Sequence, residues 1–370
     1  MSSPVFVSGD DQTPVALESP AARSDERTRS WVLRLWVLVL AFLLLTLVRS
    51  AQVGIPVRDP GGSIFLSRIA ISLGGLAFLA VADAVYSAGR GRRRVRPVLG
   101  ALRARWTRGR ILLVTTGLLA YHLVYFSYHN LKSWDVFNAS RDQMLASWDR
   151  WLFLGHDPAV LLHSLLGQHY AMYVLMVVYE SFSTLLIIAL VSAVTLPDRV
   201  RDSYVFLTVG AWVWIMGVGS YYLIPSLGPF DSDPQNFAGL PHTMIQDTQA
   251  RYMGQRAHLL AHPGLPDAFA QVSAFASLHV GITTFLLLMA RYYRLRRTTI
   301  FMSVFLLGTL VATVYLGWHF AVDDVAGLAI AAVAMRLGTW MIYPRGRPEG
   351  PVRASRGAQR PTQRPTQRPT

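Results

Sequence analysis

Residues 31–48 read WVLRLWVLVLAFLLLTLV, a run of apolar residues with a single charge at Arg34. Seven more apolar blocks follow, at residues 64–88, 111–131, 170–195, 204–224, 272–290, 300–318 and 322–343. A helix needs about 20 apolar residues to cross the hydrocarbon core of a bilayer, and each block is close to that length. The sequence therefore predicts an all-α, polytopic membrane helix bundle with about eight spans.

The composition of the whole chain agrees with a membrane protein. Of the 370 residues, 52% are hydrophobic and 15% are charged, and the mean hydropathy is +0.33. Soluble domains carry about 25% charged residues, so this chain has few charges for a surface that faces water. The chain has no cysteine, which excludes disulfides, thiolate metal sites and a cysteine nucleophile.

The net charge of +14 is concentrated in three short segments. Residues 89–110 carry +9, residues 291–298 carry +4 and residues 344–370 carry +6, whereas the rest of the chain carries −5. Threading eight spans in order puts all three segments on one side, which the positive-inside rule identifies as the cytoplasm. We therefore expect both termini in the cytoplasm and the arginine clusters against anionic lipid headgroups, with no role in nucleic-acid binding.

The two ends of the chain differ in composition from the apolar blocks. Residues 1–29 are polar with mixed charge, and residues 344–370 end in three copies of Gln-Arg-Pro-Thr. Such compositions do not favour a packed core. The sequence therefore predicts two disordered tails around one multi-span membrane domain at residues 30–343.

Segment 132–169 is predicted to lie on the side opposite the arginine clusters. It carries Trp134, Trp148, Trp151 and Phe153 among acidic and basic residues. This mixture is typical of a helix in the headgroup layer, where aromatic rings prefer to sit. The segment is either an ordinary interfacial linker or a lid or wall beside a lipid substrate.

Segment 225–271 is predicted to lie on the same side and contains two arginines, Arg251 and Arg256. A guanidinium group matches a pair of phosphate oxygens, so both arginines are candidates for phosphate binding. Three histidines of this segment are expected to be surface residues: His242, His258 and His262.

Two motifs combine titratable residues with the predicted ends of spans. Residues 275–281 read FASLHVG and contain His279, and residues 315–327 read YLGWHFAVDDVAG and contain His319 and Asp323. His319 and Asp323 are four residues apart, so they share a face if the last helix begins this early. A carboxylate beside an imidazole fixes the tautomer and leaves the second nitrogen free as a nucleophile or a base. Asp324 is expected to point about 100° away.

The threading places His279 and His319 on the same membrane face, although 40 residues separate them. Three interpretations remain open at this point. The histidines are two interfacial residues at the same depth, or they form a catalytic pair with Asp323, or the three residues bind a divalent metal ion.

The two motifs resemble the last two motifs of the type 2 phosphatidic acid phosphatase superfamily. They are most similar to the branch that contains fungal inositol phosphorylceramide synthase and its bacterial relatives, in which Pro-Ser-Leu-His precedes His-x-x-x-Asp. The resemblance extends to NLKSWD, WDRWLFLGHDP and YLIPSLGPF and covers about residues 120–335. It implies a six-helix phosphatase-like core preceded by two N-terminal spans.

The resemblance also implies a role for each residue of the two motifs. His319 would attack phosphorus and form a phosphohistidine, Asp323 would orient His319, and His279 would act as general acid and then as general base. The resemblance implies no metal ion and no other cofactor. The reactants would be a lipid phosphate and either an alcohol acceptor or water.

The sequence departs from the family pattern at the groups that would bind phosphate. Ala276 stands where the family usually has proline, and Thr313 stands where it usually has arginine. The Lys-x₆-Arg-Pro element of the phosphatases is absent, since the one lysine of the chain is followed by no such spacing. Four residues are candidates to replace these charges: Arg251, Arg256, Lys132 and Arg141.

The sequence thus predicts a membrane enzyme that transfers a phospho-headgroup of the inositol phosphate type between a lipid and an alcohol. The alternatives are a plain lipid phosphate phosphatase and, in another class, a transporter or flippase. We expect a multi-pass plasma membrane protein with its active site on the extracytoplasmic side. One lysine among 35 basic residues indicates a GC-rich coding sequence and a bacterial source.

Overall fold

The computed structural model describes residues 20–89 and 95–347, and the side chains from residue 30 onward. The described residues form helices and no strand, which confirms the predicted all-α class. The N-terminal tail was predicted to extend to residue 29, but a helix already begins at Pro20; residues 1–19 and 348–370 lie outside the described residues. The α-helices are α1 Pro20–Val53, α2 Leu66–Ser87, α3 Val95–Arg105, α4 Arg108–Trp134, α5 Asp142–Leu152, α6 Pro158–Leu166, α7 Tyr170–Thr195, α8 Val200–Leu223, α9 Pro229–Ser232, α10 Met244–Ala261, α11 Leu278–Tyr292, α12 Arg296–Tyr315 and α13 Ala321–Ile342.

Seven helices of the described chain are long and apolar enough to cross a membrane, not eight. The block at residues 272–290 was predicted as a full helical span, but its helix, α11, has 15 residues and a length of about 22 Å. It nevertheless runs alongside α13, since Tyr292 at its end and Tyr343 at the end of α13 both donate to Asp202. The residues before α11 are irregular and buried. The N–H of Ala274 donates to the Ser226 carbonyl at 2.8 Å, and the N–H of Ala276 donates to the Ser220 hydroxyl at 2.9 Å. Irregular backbone is tolerated inside a membrane helix bundle when, as here, protein groups satisfy its hydrogen bonds.

Helix α8 lies at the centre of the bundle and packs against α4, α11 and α13. Of its apolar window, 78% is buried inside the protein, against 11% for the span that contains α2. Helix α2 therefore lies at the periphery, where it contacts α4 and α7 and leaves most of its surface to lipid.

Helices α11 and α13 approach each other closely through two glycines, Gly281 and Gly327. A Cβ atom on Gly327 would overlap the carbonyl oxygen of Ser277, and a Cβ atom on Gly281 would lie 3.3 Å from the carbonyl oxygen of Gly327. The N–H of Ser277 donates to the carbonyl of Asp323 at 3.0 Å. Small residues permit such close backbone contact between helices in a membrane. This contact brings the beginnings of α11 and α13 together.

At the other end of the bundle, arginine side chains bind the residues at and after the end of α7. Arg105 lies at the end of α3, a helix in a region predicted only as a basic linker, and pairs with Asp83 at 3.2 Å and Asp198 at 2.7 Å. Arg105 and Arg110 donate to carbonyls of residues 195–198, where α7 ends. Cations are favourable at the carboxyl end of a helix because they complement the free carbonyl groups.

We predict that Gly327→Ala destabilises the protein, because the added methyl group must displace the backbone of Ser277. Overpacking of this kind costs about 1–3 kcal/mol. The thermal midpoint in detergent measures the effect. Gly74→Ala is the control, since a Cβ atom there meets nothing within 4 Å. Equal midpoints for the two variants would contradict the close-packing role of Gly327.

Candidate active site

His319 lies in the turn between α12 and α13, and this turn is held from two sides. The N–H groups of Ala321 and Val322 donate to the carboxylate of Asp149 in α5, at 2.8 and 3.0 Å. The carbonyl of Gly317, in the same turn, accepts from the N–H of Phe230 at 2.9 Å. Burial raises the pKa of Asp149 to about 6, although the two N–H donors oppose the rise. The carboxylate is therefore charged at neutral pH and caps α13.

The imidazole of His319 and the carboxylate of Asp323 face each other, and both side chains are buried. Nδ1 of His319 lies 3.5 Å from Oδ2 of Asp323, which is longer than an ordinary hydrogen bond. The same Oδ2 accepts the N–H of Phe320 at 3.0 Å. Asp323 thus contacts both the ring of His319 and the backbone beside it.

Asp324 is a second carboxylate near His319, and the sequence analysis gave it no part in the site. It is buried, accepts a hydrogen bond from the Thr313 hydroxyl at 2.8 Å, and attracts positive charge on His319. Burial nevertheless lowers the pKa of His319 to about 4. The ring is therefore neutral at pH 7 and able to act as a nucleophile.

His279 lies in the first turn of α11, two residues after the N-cap residue Ser277. Its ring stacks on Tyr179 with a centroid distance of 4.2 Å and lies 4.4 Å from the ring of Phe182. The ring centroids of His279 and His319 are 6.0 Å apart. The structure therefore brings together the three residues of the two motifs, with the histidines facing a common space.

This space is a cavity of about 270 Å³ that both histidines line. Lys132 and Arg251, two of the four predicted phosphate ligands, also line it, whereas Arg141 and Arg256 do not. The ammonium of Lys132 lies 5.6 Å from the ring centroid of Tyr221. Aromatic residues form much of the wall: Tyr125, Tyr128, Tyr179, Phe182, Trp214, Tyr221, Tyr252 and Trp318.

A third cation on the wall, Arg68 of α2, was missed by the sequence analysis. The signal was present, since Arg68 is a charged residue near the start of the apolar block 64–88. Ionisable residues within spans generally face the interior of a bundle or a polar cavity. Glu180 of α7 brings one carboxylate to the same wall.

The two outer segments differ in their contact with the cavity. Segment 225–271 lines it through Leu227, Thr248, Arg251, Tyr252 and Gln271, whereas segment 132–169 reaches it only at Lys132. None of residues 133–169 lines the cavity. Trp134 is buried, whereas Trp148 and Trp151 are exposed as expected for interfacial side chains. Asp142 accepts hydrogen bonds from the N–H groups of Leu227 and Gly228 at 3.0 and 3.1 Å, and so fixes the loop beside the turn of His319. Three histidines of segment 225–271 also lie outside the cavity lining: His242, His258 and His262.

A divalent metal ion needs several ligand side chains close together. Within residues 20–89 and 95–347 there is no group of three or more His, Asp or Glu residues arranged to hold a metal ion.

Residues 143–337, more than half of the chain, match the profile of the PAP2 superfamily. The chain belongs to the PAP2 superfamily. The match contains both histidine motifs and agrees with the resemblance expected over about residues 120–335. Neither the curated proteins nor the solved structures include a match to this chain.

This PAP2 protein differs from the family pattern at two positions whose contacts are now visible. Thr313, where an arginine is usual, donates its hydroxyl hydrogen to Asp324 and brings no charge. Ala276, where a proline is usual, uses its N–H to bind the Ser220 hydroxyl, a bond that proline is unable to make. Arg68 and Lys132 both precede the matched region. Two of the three cations of the cavity wall therefore come from outside it.

We predict that the ring of His319 titrates with a midpoint of about 4. Because protonation of the buried ring is unfavourable, His319 stays neutral as the pH falls from 8 to 5 and becomes charged only below that range. The measurement is a pH titration of histidine ring signals by NMR in detergent, with His319→Gln to assign the signal. A midpoint at or above 6 would show that the ring is not desolvated as the structure implies.

Proposed function

We propose that this PAP2 superfamily protein transfers a phospho group from a lipid phosphate ester to an alcohol or to water through a phosphohistidine on His319. The observation that carries the proposal is the facing pair of histidines, 6.0 Å apart, on the wall of a cavity that also presents three cations. A phosphoryl group placed between the two rings could be attacked from one side while its leaving oxygen faces the other side.

In the first step His319 acts as the nucleophile. Nδ1 faces Asp323, so Nε2 attacks phosphorus and the bond from phosphorus to the ester oxygen breaks. The carboxylate stabilises the positive charge that develops on the ring. His279, in its protonated form, gives a proton to the departing alkoxide.

In the second step the acceptor replaces the leaving group. Neutral His279 removes a proton from an alcohol or from water, and the resulting oxygen attacks phosphorus and releases His319. Transfer and hydrolysis therefore share one mechanism and differ in the acceptor. We propose transfer of an inositol-phosphate type headgroup as the principal reaction, in keeping with the Ser-Leu-His and His-x-x-x-Asp motifs, and hydrolysis as the alternative.

The negative charge on the phosphoryl oxygens needs a partner, because Thr313 supplies none. Lys132 and Arg251 are the proposed phosphate ligands, since both line the cavity. Fixed cations in a water-poor site stabilise developing charge more strongly than they would in water. Arg141 and Arg256 were also predicted as candidate phosphate ligands. Because neither lines the cavity, we assign them no role in phosphate binding.

The proposed setting is the plasma membrane of a bacterium, with both termini in the cytoplasm and the histidines on the extracytoplasmic side. The arginine-rich segments support this orientation through the positive-inside rule. The partners would be a lipid phosphate, an acceptor alcohol or water, and anionic lipid headgroups against the arginine clusters.

We predict that His319→Ala lowers turnover on the order of 10⁴-fold or more and abolishes a covalent phosphoenzyme. The purified protein is incubated with phosphorus-labelled lipid phosphates and with inositol, a glycolipid or water, and both product and protein-bound label are followed. His279→Ala should slow turnover by about 10²–10⁴-fold. His156→Ala, an exposed histidine outside the cavity, is the control. Equal activity of wild type and His319→Ala on every substrate would refute the phosphohistidine, and uptake into liposomes that survives both cavity variants would favour a transporter.

We predict that Lys132→Gln and Arg251→Gln each raise KM by about 10–100-fold, because a hydrogen bond from a charged group contributes about 1.5–3 kcal/mol. Arg141→Gln and Arg256→Gln are matched controls with an expected change of less than about threefold. Steady-state kinetics on the substrate identified above provide the measurement. A larger loss in the control pair than in the cavity pair would reject the assignment.

A further inference from the structure

A second cavity, of about 60 Å³, lies beside the first one. It lies between α2, α4 and α7. The two cavities share five lining residues, Arg68, Tyr125, Phe182, Ser183 and Trp214, so these side chains are all that separates them. We call the second cavity the side cleft.

The side cleft is apolar, unlike the cavity of the histidines. Leu186, Ile187 and Leu190 of α7 form one wall. The polar groups on the opposite wall bind one another, since the Ser72 hydroxyl lies 3.1 Å from Nε2 of His122, and Nδ1 of His122 lies 2.8 Å from the Leu118 carbonyl. The side cleft thus offers a mostly apolar surface on which Ser72 and His122 are already paired, and its charged lining residue is Arg68.

Two of the helices that line the side cleft, α2 and α7, are the ones that face lipid most. Only 11% of the apolar window of the α2 span and 22% of that of α7 are buried. The two helices meet at Gly75, where a Cβ atom would lie 3.1 Å from Val191. Beside the cleft Ser183 is exposed, so the space between α2 and α7 closes at Gly75 and opens near Ser183.

Arg68 stands where the polar cavity and the side cleft join. Within the described part of the chain its guanidinium makes no ion pair and no hydrogen bond. Arg68 and Lys132 both line the cavity of the histidines. An unpaired cation at the border between polar and apolar space matches the border between the phosphate and the acyl chain of an anionic lipid.

We propose that the side cleft holds the part of one acyl chain nearest the headgroup of a phosphate-bearing lipid, which reaches the histidines laterally between α2 and α7, and that Arg68 binds the lipid phosphate. The proposal rests on the function proposed above and adds a residue and a route to it. Because α2 precedes residues 143–337, this part of the binding site is built by helices outside the family match.

The binding test uses the full-length protein in vesicles that contain phosphatidic acid with a diazirine near the start of one acyl chain. Diacylglycerol with the same diazirine and no phosphate is the matched lipid control. Mass spectrometry should find at least fivefold more labelling of Ser72, Leu186 and Ile187 by the phosphate lipid, and Arg68→Gln should remove this difference. Exposed Val174 should be labelled equally by both lipids. Equal labelling of the cleft, or preferential labelling of the apolar cavity around Phe301, would overturn the proposal.

The kinetic test fills the side cleft while leaving the histidines in place. Leu186→Trp should lower kcat/KM at least tenfold for a long-chain lipid phosphate, yet less than threefold for a short-chain ester of the same headgroup. Val174→Trp, on an exposed face of the same helix, should change neither value. An equal loss on both esters, or on neither, would reject the cleft.

The two tests separate this proposal from the catalytic one. Cleft labelling that depends on Arg68 in a protein with no phosphohistidine would support the lipid site and reject the chemistry. A phosphohistidine without such labelling would support the chemistry and reject the lipid site.

Discussion

The capping of α13 by Asp149 is the interaction on which the site depends. The carboxylate accepts the N–H groups of Ala321 and Val322, and so decides where the last helix begins. His319 is two residues before that point, in a turn that would otherwise have several free N–H groups in a water-poor environment. The capping helix α5 was expected only as an interfacial segment. Because the pKa of Asp149 is raised to about 6, its carboxylate is charged at neutral pH and accepts these hydrogen bonds.

The close contact of α11 with α13 fixes the position of the second histidine, His279, relative to His319. Gly281 and Gly327 allow the backbones to touch, and the N–H of Ser277 binds the carbonyl of Asp323. The two motifs therefore share a backbone hydrogen bond as well as a cavity. The shortness of α11 follows from the same arrangement, because residues before it use their backbone N–H groups to bind other parts of the bundle: Ala270 binds Ser133 of α4, Ala274 binds Ser226, and Ala276 binds Ser220 of α8.

The sequence predicts the parts of the structure that depend on local pattern. Seven of the eight apolar blocks correspond to helices of span length, because hydrophobic length is a property of the chain itself. The spacing of His319 and Asp323 likewise predicts that they share a face. The position of Asp324 near His319 was not predicted, because the angle between neighbours on a helix says nothing about what packs around both. Arg68 was missed because its place on the cavity wall depends on how α2 packs against α4 and α7, and no local pattern encodes that contact.

The origin of the cations shows how this PAP2 protein places positive charge beside its two histidines without an arginine at position 313. Thr313 occupies the usual arginine position and binds Asp324, so that carboxylate is held by a neutral donor instead of a cation. The charges near the histidines come instead from α2, α4 and α10, through Arg68, Lys132 and Arg251. A phosphate needs cations at suitable distances, and it does not matter which helix supplies them. Because α2 supplies one cation and also one wall of the side cleft, the N-terminal helices would couple recognition of the phosphate to recognition of the lipid that carries it.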